Sequence, residues 1–135
     1  NVTYPGIPRV MLHEIDYSPF KIEGIEIIPI EVMHHKLPVL GYRIGDITFI
    51  TDANYIADSE KEKIHGSKIL ILNALHKEKH ISHFNLEQAI EVVKTLKVEK
   101  TYLTHISHHM GLHREVSKEL PNGIALGYDG LCLEV

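Results

Sequence analysis

With 135 residues, 44% of them hydrophobic and 24% charged, the chain is long enough for one modest domain with a core of its own. A formal charge of −4, spread without blocks, leaves no basic footprint for nucleic acid and no cationic face for a membrane. No apolar run approaches the ~20 residues of a membrane span, no signal peptide is visible, and a single cysteine, Cys132, excludes an internal disulfide framework. In its apolar setting GLCLEV that cysteine reads as a buried, inert thiol, and a reducing cytoplasm is the expected compartment. Histidine stands out, with 11 occurrences. The opening NVTYPG, without a Met, reads as the start of a piece of something longer.

In chain order, RVMLHEI (9–15) alternates like a strand. GIEIIPIEV (24–32) is a second strand, with Pro29 arguing for an edge or a bulge. LGYRIG (40–45) and DITFITD (46–52) flank Gly45-Asp46 as a tight hairpin or one bent ribbon. DSEKEKIHG (58–66) is a short charged helix that Gly66 terminates. KILILNAL (68–75) is apolar throughout, as a strand buried on both faces requires. In NLEQAIEVVKTLKV, residues Leu86, Ala89, Ile90, Val93 and Leu96 share one helical face, and Asn85 is the expected N-cap. KTYLTH (100–105) follows as a strand, completing a βαβ unit with parallel pairing. GLHREVSKEL (111–120) is a further helix, with Leu112, Val116 and Leu120 on one stripe. GIALGYD and GLCLEV close the chain as two short strands. The expected class is layered α/β, antiparallel ribbons first and helix-alternating strands after.

The candidate chemistry sits where strands run out. His34 and His35 follow IPIEVM, Asp52 follows ITFIT, His105 follows TYLT, and His83 stands just before the helix opened by Asn85. Residues past strand ends converge on one rim of such a sheet. Histidine with carboxylate is a ligand set for zinc, manganese or iron, and a carboxylate can bridge two metals about 3.5–4 Å apart. A single histidine at a strand end is ordinarily a surface or capping residue; it is the repetition of the pattern that points to metal. His13, His65 and His113 read as surface residues, and His76 and His80 as a solvated loop around His83.

The segments VMHHKLPVLGYRIGDITFITDANYI, HFNLEQAIEVVKTLKVEKTYLTHISHHMGLH and LPNGIALGYDGLCLEV resemble the metallo-β-lactamase-fold hydrolases. The similarity points to the phosphoribosyl cyclic phosphodiesterase-like branch, with tRNA 3′-processing endonucleases as more distant relatives. The resemblance covers roughly residues 5 to 135. It implies a four-layer αββα sandwich, of which this chain is similar to the C-terminal half: a mixed sheet with flanking helices. It also implies that Asp52 is the carboxylate bridging two metals, that His105 is the last ligand of the second metal, and that His34 is the ligand before the GYRI strand. His34 is preferred to His35 on the pattern His-x-Lys-Leu. His83 resembles the histidine that contacts phosphate and protonates the leaving group. His108 resembles a ligand of a separate structural zinc. Asp129 recurs in the pattern with a turn or supporting role.

The family's first metal motif, His-x-His-x-Asp-His, is absent from the sequence. The resemblance therefore implies a metal-dependent phosphodiester hydrolase that is active only as the intact protein, with two divalent ions (zinc or manganese), a metal-activated hydroxide, a His general acid, and one structural zinc. The expected partners are a small phosphodiester substrate and the missing N-terminal half or a second copy of the chain; no membrane is expected and nucleic acid is not indicated. A non-catalytic fold half that binds or self-associates is the alternative, and a small metal-binding protein using His34, His35, Asp52 and His105 is a third reading.

Overall fold

The computed structural model describes residues 10–134. Seven strands form one sheet, β1 (Phe20–Ile22), β2 (Ile25–His34), β3 (Leu37–Ile44), β4 (Ile47–Ile50), β5 (Ile69–Asn73), β6 (Lys100–Thr104) and β7 (Ile124–Leu126). Their order across the sheet is the order of the sequence. β1 to β4 pair antiparallel through tight turns, whereas β4 to β7 pair parallel. The parallel pairs need long connections, and helices α1 (Asp58–Ile64), α2 (Leu86–Thr95) and α3 (His113–Glu119) supply them. Among the described residues, no helix is long and apolar enough to cross a membrane.

Local chemistry explains these boundaries. Gly45 takes φ 56° at the β3–β4 turn, a left-handed value that glycine adopts without a Cβ penalty. Pro29 lies inside β2 opposite Tyr42. β1 reaches only to Ile27, so β2 is an edge at Pro29, and the Pro29 carbonyl accepts from Lys63 Nζ (3.1 Å). α2 opens on a reciprocal capping box: Asn85 Oδ1 accepts from the Gln88 amide (2.8 Å) and Gln88 Oε1 accepts from the Asn85 amide (3.1 Å).

One face of the sheet carries the core. Ile30, Val32, Ile50, Leu70, Leu72 and Leu103 are buried there against Ile64, Leu86, Ala89 and Val116 of the helices. The helical stripe of α2 packs as its periodicity requires, with Ile90 and Val93 half-buried beside it. The other face is open along β1 to β4: Ile22, Ile25, Ile44 and Phe49 are 46–59% exposed.

Four expectations fail. Residues 10–15 form no strand, and Val10, Met11 and Leu12 are exposed; among the described residues the sheet begins at Phe20, and no strand there takes up their backbone hydrogen bonds (Arg9 lies outside the described residues). Residues 131–134 form no strand either, since β7 is the last to pair; Val135 lies outside the described residues. Cys132 on this tail is exposed rather than buried. Leu112 also leaves its stripe, sitting exposed at the N-cap of α3.

Candidate metal centre

The ends of β2, β4 and β6 lie on one rim, and their side chains meet there. Asp52, two residues past β4, and His105, directly after β6, both take a left-handed backbone, φ 55° and 57°. Non-glycine residues occupy this region at a cost of about 1–3 kcal/mol and cluster at functional sites. His83 Nε2 donates to Asp52 Oδ1 at 3.2 Å, and His105 Nε2 lies 3.7 Å from the same oxygen. The His83 ring stacks on His105 and meets His34 edge-on, both at 4.7 Å between centroids. Ligand atoms of His34, Asp52 and His83 all lie within 4.8 Å of one another. The structure thus brings together His34, Asp52, His83 and His105. His108 stands on a single 3-10 turn (His108–Met110), its ring against His109. His35 occupies the β2–β3 turn at φ 58°.

Three residues that the sequence reading passed over hold this rim in place. Asn73, fully buried at the end of β5, grips the Ala53 peptide on both sides: its Nδ2 donates to the Ala53 carbonyl and its Oδ1 accepts from the Ala53 amide, each at 2.9 Å. That fixes the backbone next to Asp52. Asn54 Oδ1 accepts from the His35 amide (2.9 Å) and its Nδ2 donates to the Ile81 carbonyl (3.1 Å), tying the turn after His34 to the loop that carries His83. The Ser82 hydroxyl lies 3.0 Å from His83 Nδ1. The signal for Asn73 was a lone polar residue ending an apolar run; for Asn54 and Ser82 the sequence carries none. The His105 loop is tied to β5 through the Ala74 and Ser107 amides, which donate to the Thr104 and Leu75 carbonyls.

The loop histidines need revision. His80 is solvent-exposed as expected, yet its Nδ1 sits 3.1 Å from His83 Nδ1. His76 is half-buried, with Nδ1 shut away from solvent and unpaired. His13 and His113 are on the surface, but His65 is half-buried beside Glu62 (3.2 Å).

Electrostatics couple the members. Burial alone would raise the Asp52 carboxyl, but hydrogen bonds from His83 and Thr51 and the nearby charges of His105 and His83 outweigh it, leaving it below the ordinary carboxylate range. Burial pushes the His83 imidazole below its ordinary value, against the opposing pull of Asp52. Two imidazoles and a carboxylate within reach of one another, with His105 beside them, fit a divalent transition metal. Asp52 Oδ1 already faces two of the imidazoles, the disposition a shared carboxylate needs. Beside His105, a cleft of about 430 Å3 opens on the uncovered sheet face, lined by Phe49, Ile71, Tyr102, Tyr128 and Asp129.

A match to the beta-lactamase superfamily domain spans residues 1–106. The chain belongs to the beta-lactamase superfamily. Within this family, a crystal structure of a diphosphatase from the PhnP family superposes with a TM-score of 0.91 at 36% identity, covering 94% of this chain and 50% of that one. The metallo-β-lactamase-fold protein YhfI from Bacillus subtilis superposes at 0.70 with 21% identity, covering 89% of this chain and 54% of that one, which speaks for the fold alone. An octanoyltransferase from Porphyromonas gingivalis is 39% identical over 130 residues, 95% of this chain and 26% of that protein. The chain thus spans half the length of the diphosphatase and about a quarter of the octanoyltransferase. Its mixed sheet with flanking helices is the metallo-β-lactamase fold.

Proposed function

We propose that this chain is the C-terminal half of a metal-dependent hydrolase of phosphodiester bonds acting on a small, cyclic phosphodiester-like substrate. The observation that carries the reading is the convergence of His34, Asp52, His83 and His105 on one rim, in a chain similar to a diphosphatase over nearly its whole length. The other half of the sandwich covers the open face of β1 to β4 and brings the remaining ligands. The expected compartment is the cytoplasm. Octanoyl transfer is not assigned to this chain, which matches a quarter of the protein so named.

His34, Asp52 and His105 would hold two divalent ions, zinc or manganese, with Asp52 shared between them; His108 would serve a structural zinc with ligands from the other half. When bound, the ions would supply hydroxide near neutral pH and neutralise phosphoryl charge. His83 belongs to the substrate. As imidazolium it donates the Nε2 proton to the departing oxygen, so that one N–H bond breaks as one O–H bond forms, a contribution of about 10²–10⁴ in rate. The helix that opens directly after His83 favours bound phosphate at its N-terminus.

The test is His83→Ala in the complete sandwich, read by elemental analysis and by turnover of bis(p-nitrophenyl) phosphate. Metal content should hold while turnover falls by about 10²-fold or more. Unchanged turnover removes His83 from the chemistry, and lost metal makes it a ligand instead. A second reading, a non-catalytic half that self-associates, draws on the exposed apolar residues of β1 to β4; a complete sandwich without metal or turnover would favour it.

A further inference from the structure

The loop from β5 to α2 is closed at its neck. The Leu75 amide donates to the Phe84 carbonyl (3.0 Å), the Leu86 amide to the His76 carbonyl (2.9 Å), and Asn85 Nδ2 to the Lys77 carbonyl (3.1 Å). Beyond the neck, His80 and Ser82 bond to one another within the loop. Among the described residues, one hydrogen bond reaches residues 78–82 from outside the loop: Asn54 Nδ2 donates to the Ile81 carbonyl (3.1 Å). The other end of the same amide is occupied as well. Asn54 Oδ1 accepts from the amide of His35 (2.9 Å), the residue whose left-handed backbone, φ 58°, turns the chain directly after His34. The Asn54 backbone is fixed independently. Its amide donates to the Met33 carbonyl (2.8 Å), and the Met33 amide donates to the Tyr55 carbonyl (2.9 Å).

We propose that Asn54 is a positioning residue that locks two arms of the rim together, the turn behind His34 through its oxygen and the loop before His83 through its nitrogen. Its partners are one backbone N–H and one backbone C=O. The side-chain amide therefore has a single orientation, oxygen on His35 and nitrogen on Ile81. Only a carboxamide of this length offers an acceptor and a donor at once. A carboxylate has no donor for the Ile81 carbonyl, and a hydrocarbon has neither. A left-handed residue other than glycine persists only where its surroundings hold it, and the Asn54 oxygen supplies that hold on the His35 amide. The two ends of the side chain thus have separate work. Oδ1 bears on His34 and through it on metal; Nδ2 bears on the loop and through it on His83. Asp52 lies two residues before Asn54, so the stretch 52–54 sets the spacing of three members of the rim. The part that concerns turnover rests on the reading of His83 as proton donor; the two contacts do not.

The experiment compares Asn54→Ala and Asn54→Asp with the wild type in the complete sandwich. Hydrogen exchange reads the His35 amide, 15N relaxation reads residues 78–82, and zinc affinity and turnover of bis(p-nitrophenyl) phosphate are measured beside them. Asn54→Ala removes both contacts. Its His35 amide should lose protection, its 78–82 order parameters should drop, and its zinc affinity should fall about ten- to a hundredfold. Asn54→Asp keeps the acceptor and loses the donor. Its His35 exchange should stay at the wild-type rate and its zinc affinity should not fall, while the 78–82 order parameters drop as in Asn54→Ala. In both variants kcat should fall about ten- to a hundredfold at constant KM. A general support would instead lower the denaturation midpoint and loosen both arms in both variants. That outcome overturns the proposal, and so does unchanged His35 exchange in Asn54→Ala or unchanged order at 78–82 in either variant. Exchange and relaxation are read without turnover, so a protein that cleaves no phosphodiester while the two arms separate in this way overturns the functional reading alone.

Discussion

Asp52 and His83 are held by residues with no chemistry of their own, and that is where single substitutions should tell most. Asn73 satisfies both polar groups of the buried Ala53 peptide. Asn73→Leu fills similar space but leaves the Ala53 amide without a partner, at a cost of about 1–3 kcal/mol, while the Ala53 carbonyl keeps the Phe84 amide (2.7 Å). A loss of about 1–3 kcal/mol is expected in urea denaturation, together with weaker metal retention, because the strand end that carries Asp52 is freed; a loss below about 0.5 kcal/mol would sink the clamp. His83 supports a prediction in pH. Its folded-state pKa lies below the ordinary value, so the unfolded chain binds more protons once pH falls through about 6.5. Stability contributed by neutral His83 is therefore present at neutral pH and lost on acidification. Asp52, also depressed, adds its loss only at more acidic pH, as its carboxylate takes up a proton. In metal-free protein, the drop in denaturation midpoint between about pH 7.5 and 5.5 should shrink in His83→Gln; an equal drop in both would refute it.

At the scale of elements, Gly41 sets how β3 meets β4. A Cβ there would come within 2.7 Å of Ile50 Cγ1 and 3.0 Å of the Phe49 carbonyl. Ile50 is fully buried, so the clash has no easy outlet, and Gly41→Ala should cost about 1–3 kcal/mol. Calorimetry on the variant would show a lowered Tm; no change would mean that Ile50 moves aside freely. The elements most legible in the sequence were those whose signal is local. The spacing in α2 and its Asn85 cap, the unbroken apolar run of β5, and Gly45 between β3 and β4 each state their structure within a few residues. The stretch at 10–15 and the tail at 131–134 have strand-like composition, yet a strand exists only where a neighbour accepts its hydrogen bonds, and composition does not say where neighbours are. The same limit applied at the site. His34, Asp52, His83 and His105 announced themselves by position at strand ends, whereas Asn73 and Asn54 work across 20 and 19 residues of sequence. Ser82 and His80 lie in a segment that reads as polar loop until its closed neck is seen.

On the scale of the molecule, the candidate metal rim and the open apolar face of β1 to β4 belong to a chain that spans half the length of the diphosphatase it resembles. On the proposed reading, the remaining half of the sandwich supplies both the missing ligands and the cover. Elemental analysis of this chain and of the complete sandwich, loaded side by side, should find well under one ion per chain in the first and about two in the second. Equal loading would mean that His34, Asp52, His83 and His105 suffice alone. Scattering measurements on this chain should give a mass above the monomer, reduced by Phe49→Lys on the open face; a monomer at all concentrations would show that the face needs no cover.

Within the described residues, every strand from β1 to β7 pairs with its neighbour in sequence, so the strands can pair in the order in which they are made. The antiparallel pairs from β1 to β4 close two-residue turns, and short loops form fast, whereas the parallel pairs from β4 to β7 wait for their helical crossovers. A chain built this way organises from its antiparallel ribbons outward as it leaves the ribosome, with the arms that carry His34 and Asp52 formed before the crossovers bring His83 and His105 to them.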